Sequence, residues 1–122
     1  MNKVIISGRL TKDVDLRYTA TNNTPVATIN VAVNRKHEDK ADFFNCIAYG
    51  KTAEFINKYF NKGKAIIVNG SLQTRFYDDK DGKRVYVTEI IVEEVDFAGD
   101  KPKEENQVEV AEEFTTNDEL PF

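Results

Sequence analysis

With 122 residues, eight Phe and five Tyr, the chain suits one ordinary domain with a packed core, and no apolar run approaches the roughly 20 residues that span a bilayer. A single cysteine, Cys46, excludes an internal disulfide and fits a reducing cytosol, and no charged segment followed by an apolar one opens the chain as a secretory signal would. The net charge of -4 divides unevenly: Met1 to Gly99 carries 15 Lys/Arg and 13 Asp/Glu (+2), Asp100 to Phe122 carries 2 and 8 (-6), so whole-chain acidity does not exclude a polyanion bound by the body.

In chain order, Lys3–Leu10 predicts a strand with Val4 and Ile6 opposed to Lys3 and Ile5, and Val14–Tyr18 a second, short one. Asn22-Asn23-Thr24-Pro25 is turn chemistry, because Asn tolerates positive φ and Pro fixes φ. Val26–Asn34 alternates, with Ala27, Ile29, Val31 and Val33 on one side. The charged Lys36–Lys40 reads as a loop, and Asp42–Gly50 as a strand. Lys51–Asn61 breaks the period: Phe55/Tyr59 and Ile56/Phe60 stand four apart, the spacing of a helix. Thr52 is the expected N-cap, Glu54 favours the first turn, and Gly63 stands where a left-handed cap residue would end the helix. Ala65–Tyr77 is a long strand, Asp78-Asp79-Lys80-Asp81-Gly82 a hairpin turn, and Arg84–Phe97 the returning strand. No internal repeat is visible.

A mostly antiparallel sheet with one mid-chain helix suits an all-β fold, a five-stranded OB barrel with its helix between strands three and four. An SH3-like barrel competes, but usually lacks such a helix. The expected organisation is a folded domain over 1–99 and a disordered acidic tail over 100–122, where Val108, Val110 and Phe114 are isolated among acids and bury too little to offset the entropy of ordering. A short amphipathic segment around Val108–Phe114 is the alternative there.

The candidate site follows from strand parity. Phe44, Cys46 and Ala48 share one face of their strand, small and apolar as a tight barrel interior requires. Phe43, Asn45, Ile47 and Tyr49 share the other, and Lys51 continues their parity. On the next strand Ile66, Val68 and Leu72 fall on the core side, with Phe76 assigned to the same set, while Gln73, Arg75 and Tyr77 fall opposite. Were these two strands neighbours, Phe43, Tyr49 and Tyr77 would stand beside Asn45, Lys51, Gln73 and Arg75. Flat rings interleaved with cations and amides match the physics of single-strand binding, in which bases stack on side chains and Lys or Arg neutralise phosphates. Duplex reading would need an element shaped for a groove. The competing structural explanation is that the rings pack under loops or in a subunit interface. Arg35, Lys36 and His37 offer a further patch at a loop, although a charge run is commonly just a solvated face.

Catalysis has thin support. One His and one Cys make no dyad with an orienting group, and neither a CxxC nor an HxxxH metal pattern nor a glycine-rich phosphate loop is present. Asp78, Asp79 and Asp81 lack the remaining ligands of a calcium loop and read better as a turn. No enzyme activity, cofactor or metal is therefore expected. The chain finishes Asp118-Glu119-Leu120-Pro121-Phe122, two acids followed by apolar residues, which would be purposeful if a partner held the Phe ring and its carboxylate, and incidental otherwise.

Taken in order, Asn2–Leu10, Asp13–Tyr18, Phe43–Glu54, Lys62-Gly63-Lys64, Gly70–Arg75 and the Pro-Phe ending resemble the bacterial and phage single-stranded DNA-binding protein family. The resemblance covers nearly all of 1–99 plus the last six residues, and it rests on the order and spacing of pieces that are individually weak. It implies an OB fold, usually a homotetramer, that coats single-stranded DNA without catalysis. It implies base stacking at Phe43, Tyr49 and Tyr77, the rings parity also selects, and a further stacking position at His37, where this chain departs from the usual aromatic. Several members use Trp at these positions and this chain has none. Asn117-Asp118-Glu119-Leu120 is less acidic than the family's usual tip.

The resulting expectation is a cytoplasmic, nucleoid-associated protein, not attached to a membrane. It would coat and protect single-stranded DNA during replication, recombination and repair, and would recruit replication and repair proteins through Asp118, Glu119, Leu120, Pro121 and Phe122. The rivals are an OB-type module whose aromatic face takes protein or structured RNA, and an OB-fold nuclease, for which no clustered acid and arginine site is evident.

Overall fold

Alternating apolar residues produce strands β1 (Val4–Leu10), β2 (Asp15–Tyr18), β3 (Pro25–Asn34), β4 (Ala41–Tyr49), β5 (Ala65–Asp78) and β6 (Arg84–Phe97), with one helix, α1 (Lys51–Tyr59), between β4 and β5. They come from a computed structural model that describes residues 1–99; the expected disordered tail, 100–122, lies outside the described residues. β5 pairs antiparallel with β1 and with β6, β4 pairs antiparallel with β3, and β4 and β6 run parallel. The ring closes where Arg9 and Leu10 of β1 meet Ala32 and Val31 of β3. β2 attaches to β3 outside the ring. Counting the five ring strands, α1 stands between the third and the fourth, the order of an OB barrel.

The inward residues make one core. Leu10, Ile29, Val31, Cys46, Ile56, Ile66, Val68 and Ile90 are fully buried, and Val4, Ile6, Phe44 and Phe97 pack against them. Burying each such side chain contributes about 1.5–3 kcal/mol, so the barrel interior and the Ile56 side of α1 dominate stability. α1 buries Ala53 and Ile56 against the barrel, and Phe60, just past its end, stacks on Phe97 with ring centroids 4.9 Å apart. Beyond the helix, the Lys62 amide donates to Asp13 Oδ1 and the Gly63 amide to the Leu10 carbonyl, tying this connection to the end of β1.

Three local expectations are corrected. The N-cap of α1 is Gly50, at φ 67° and ψ -135°, while Thr52 lies within the first turn. The chain turns directly from β4 into the helix, and only glycine readily adopts that backbone, so no side-chain cap is formed. Gly63 has positive φ but sits past Phe60, which already leaves the helix in an extended conformation. Leu72 and Phe76 keep the core-side parity but are exposed, because the outer halves of β5 and β6 run on past the barrel as a free hairpin with no core beneath it.

Candidate nucleic-acid interface

β4 and β5 are not neighbours, contrary to the adjacency considered from parity; β6 lies between them. The outward face is therefore four strands wide, in the order β5-β6-β4-β3. Register fixes its rows: Val26 opposes Tyr49, Thr28 opposes Ile47, Asn30 opposes Asn45 and Ala32 opposes Phe43 across β3 and β4. Ile47 stands against Ile91 of β6, and Gln73, Arg75 and Tyr77 of β5 stand opposite Glu89, Val87 and Val85.

On this face the three rings are in solvent. Phe43 is 64% exposed, Tyr49 51% and Tyr77 48%, whereas the inward residues beside them on β4 pack into the core. Exposed aromatic surface of this extent on one side of a sheet points to a ligand. Asn45 and Gln73 are also exposed between the rings. Asn45 is held: its Oδ1 accepts from Asn30 Nδ2 at 2.9 Å, and Asn30 Oδ1 accepts from the Thr11 hydroxyl at 2.7 Å. With that oxygen engaged, the amide turns its N–H groups to other partners.

The cations divide into those held and those in the open. Arg75 Nε donates to Glu89 Oε1 at 2.9 Å. Arg35 donates through Nε and Nη2 to Asp42 and through Nη1 to Glu38, and its backbone amide donates to the Lys40 carbonyl. These bonds fold the β3–β4 loop on itself. They also hold the Asp42 carboxyl below the usual carboxylate range and raise the Arg35 guanidinium further, through the shared hydrogen bonds first and the charges second. Lys36, His37 and Lys40 project from the loop so ordered, all exposed. Lys51, at the start of α1, lines a groove of about 330 Å³ with Phe55, Glu93 and Glu94, at the margin of the aromatic face.

Sequence reasoning missed β6 as the middle of the face. Its outward set is Val85, Val87, Glu89 and Ile91, and the lone acid in an apolar alternation was the available signal. It also missed the back of the β5–β6 hairpin. There Phe76 and Tyr86 meet with centroids 6.0 Å apart, and the Arg84 guanidinium lies 4.4 Å over the Phe76 ring.

Cys46 is buried, and burial pushes its thiol up to about 12, so it is not a thiolate near neutral pH. Among the described residues no three His, Cys, Asp or Glu side chains are grouped to hold a metal ion, and no helix is long and apolar enough to cross a membrane.

Comparison with known proteins decides the family. The model of the single-strand binding protein family matches residues 1–98. The chain belongs to this family. It is similar to a single-stranded DNA-binding protein of Clostridium perfringens, 49% identical over 98 residues that cover 80% of this chain and 65% of the relative. It is similar to one of Bacillus cereus, 53% identical over 102 residues, covering 80% and 59%, and to single-stranded DNA-binding protein 2 of Listeria monocytogenes, 48% identical over 111 residues, covering 87% and 68%. The first two alignments thus span about three fifths of each relative. The family is one of binding proteins, not enzymes, as expected from the residues.

Proposed function

We propose that this chain binds single-stranded DNA on the four-strand face, by stacking bases on Phe43, Tyr49 and Tyr77 and neutralising phosphates with Arg75, Lys51 and the cations of the β3–β4 loop. The observation that carries this reading is three rings, each about half exposed or more, on one face of a sheet, two of them (Phe43 and Tyr49) backed by the core and Tyr77 on the free β5–β6 hairpin. Stacking contributes about 1–3 kcal/mol per base and is tolerant of base identity, so weak sequence preference follows. Arg35 contributes through the loop it orders, which carries His37 and Lys36 outward, as well as through its own charge. The names of the similar bacterial proteins point to the same ligand.

The proposed organisation is a binding domain over 1–99 and a tail over 100–122 whose Asp118, Glu119, Leu120, Pro121 and Phe122 recruit replication and repair proteins. The proposed assembly is a homotetramer, acting at the nucleoid to protect the strand during replication, recombination and repair.

The test is affinity for labelled oligo-dT against a duplex and an RNA strand of equal length, across a salt series. Preference for oligo-dT is expected, with log affinity falling against log salt by about 0.7 for each phosphate neutralised. Duplex bound as tightly as the single strand overturns the reading, and preference for RNA turns it to the rival module.

A further inference from the structure

Glu89 is the only buried polar or charged residue among the described residues, at 5% exposure, yet its parity places it on the outward face. A carboxylate there opposes a phosphate ligand by charge alone, and a buried charge is costly unless it is paired. Its partner is Arg75, diagonal to it across β5 and β6, with Nε 2.9 Å from Oε1. The pair is asymmetric: the acid side chain is 5% exposed and the arginine side chain 51%. One of five guanidinium N–H donors is spent on the acid, which leaves four for another partner. Gln73 opposes Glu89 on one side. Asn45 is its neighbour on the other, since the residues that follow them, Cys46 and Ile90, are paired.

We propose that Glu89 is a positioning residue for strand binding: by holding Nε, it aims the Arg75 guanidinium at a phosphate alongside the Tyr77 ring, two residues on and on the same face. This rests on the reading that the face binds single-stranded DNA. It assigns to an acid a favourable part in binding a polyanion, against the sign of its charge. An arginine so held loses less side-chain entropy on binding than a free one, and it presents a planar fork suited to two phosphate oxygens.

Two substitutions separate reach from charge. Glu89→Gln keeps the length and an acceptor oxygen but removes the charge. Glu89→Asp keeps the charge but withdraws the oxygen by one methylene. Affinity for labelled oligo-dT is measured for both, with Arg75 present and with Arg75→Ala, over a salt series, after each variant's cooperative unfolding has been checked. Positioning predicts that Glu89→Asp weakens binding about tenfold, the value of one charge-assisted hydrogen bond. Its salt slope then falls by about 0.7, one phosphate contact. Glu89→Gln stays within about threefold of the unmodified chain, because a neutral acceptor still holds Nε, with roughly half the strength. In the Arg75→Ala background Glu89→Asp has no further effect.

A simple charge role predicts the reverse order, with Gln binding tighter than the unmodified chain and Asp unchanged, and that result overturns the proposal. So does an equal loss for Asp in both backgrounds, which would make Glu89 merely structural. If Glu89→Asp does not fold, Glu89→Gln decides alone, since tighter binding by it sinks positioning. Failure of the unmodified chain to bind oligo-dT is a different outcome, and it removes the proposed function itself.

Discussion

Adjacent residues of one type take opposite roles in this chain. Phe43 and Phe44 are consecutive on β4, yet the first is 64% exposed on the outward face and the second packs against the core. The strand's period of two makes that assignment without reference to either ring's chemistry. Phe43→Ala, Tyr49→Ala and Tyr77→Ala should each weaken oligo-dT binding by about 1–3 kcal/mol in a fluorescence titration. Thermal stability should move little, since substitutions at exposed sites usually stay within about 0.5 kcal/mol. A fall in stability with unchanged affinity would instead make these rings structural. Parity identified these rings from the residues alone. It marks Glu89 only as a lone acid in an apolar alternation; the diagonal partner on another strand and the burial are encoded in no periodicity.

Among the elements, the β5–β6 hairpin and the β4–α1 junction carry residues of the proposed site. The hairpin is core only in its first half. Ile66 and Val68 are fully buried, whereas Leu72, Phe76, Tyr77 and Tyr86 are exposed, although the same alternation continues. The Asn2 side chain clamps the point of departure, donating to the Leu72 carbonyl and accepting from its amide. At the junction, Gly50 lets β4 turn into α1 between Tyr49 and Lys51, two residues of the proposed site. No atom lies within 4 Å of a β-carbon added there, so the cost of Gly50→Ala is backbone strain alone. The expected loss is about 1–3 kcal/mol of stability in a denaturant titration. An unchanged unfolding midpoint would mean that the junction relaxes freely.

At the scale of the molecule, closure is achieved over a short stretch. β1 meets β3 only through Arg9 and Leu10, and Gly8 permits the approach, since a β-carbon there would stand 2.2 Å from the Ala32 carbonyl oxygen. Gly8→Ala should therefore destabilise the barrel by about 1–3 kcal/mol or more, as overpacking does, with a lowered unfolding midpoint as the readout. Charge is also divided at this scale. The body carries +2 and residues 100–122 carry -6, so removing the latter should leave oligo-dT affinity equal or slightly higher and should abolish capture of partner proteins. Lost affinity on truncation would sink that division of labour. Native mass near four times 13.9 kDa is expected for the proposed tetramer, and a monomer's mass would remove it.

Composition and periodicity alone determined which segments are strands, which one is a helix, and that Phe43, Tyr49 and Tyr77 face away from the core side of their strands, because these properties are local and repeat every two or 3.6 residues. Only the tertiary structure decided that β6 stands between β4 and β5, that Leu72 and Phe76 have no core to enter, that Arg35 is tied to Asp42, and that a buried Glu89 holds Arg75. Each of these depends on which distant segments become neighbours, and the pairing of strands far apart in sequence follows from how the whole ring closes rather than from any window of residues.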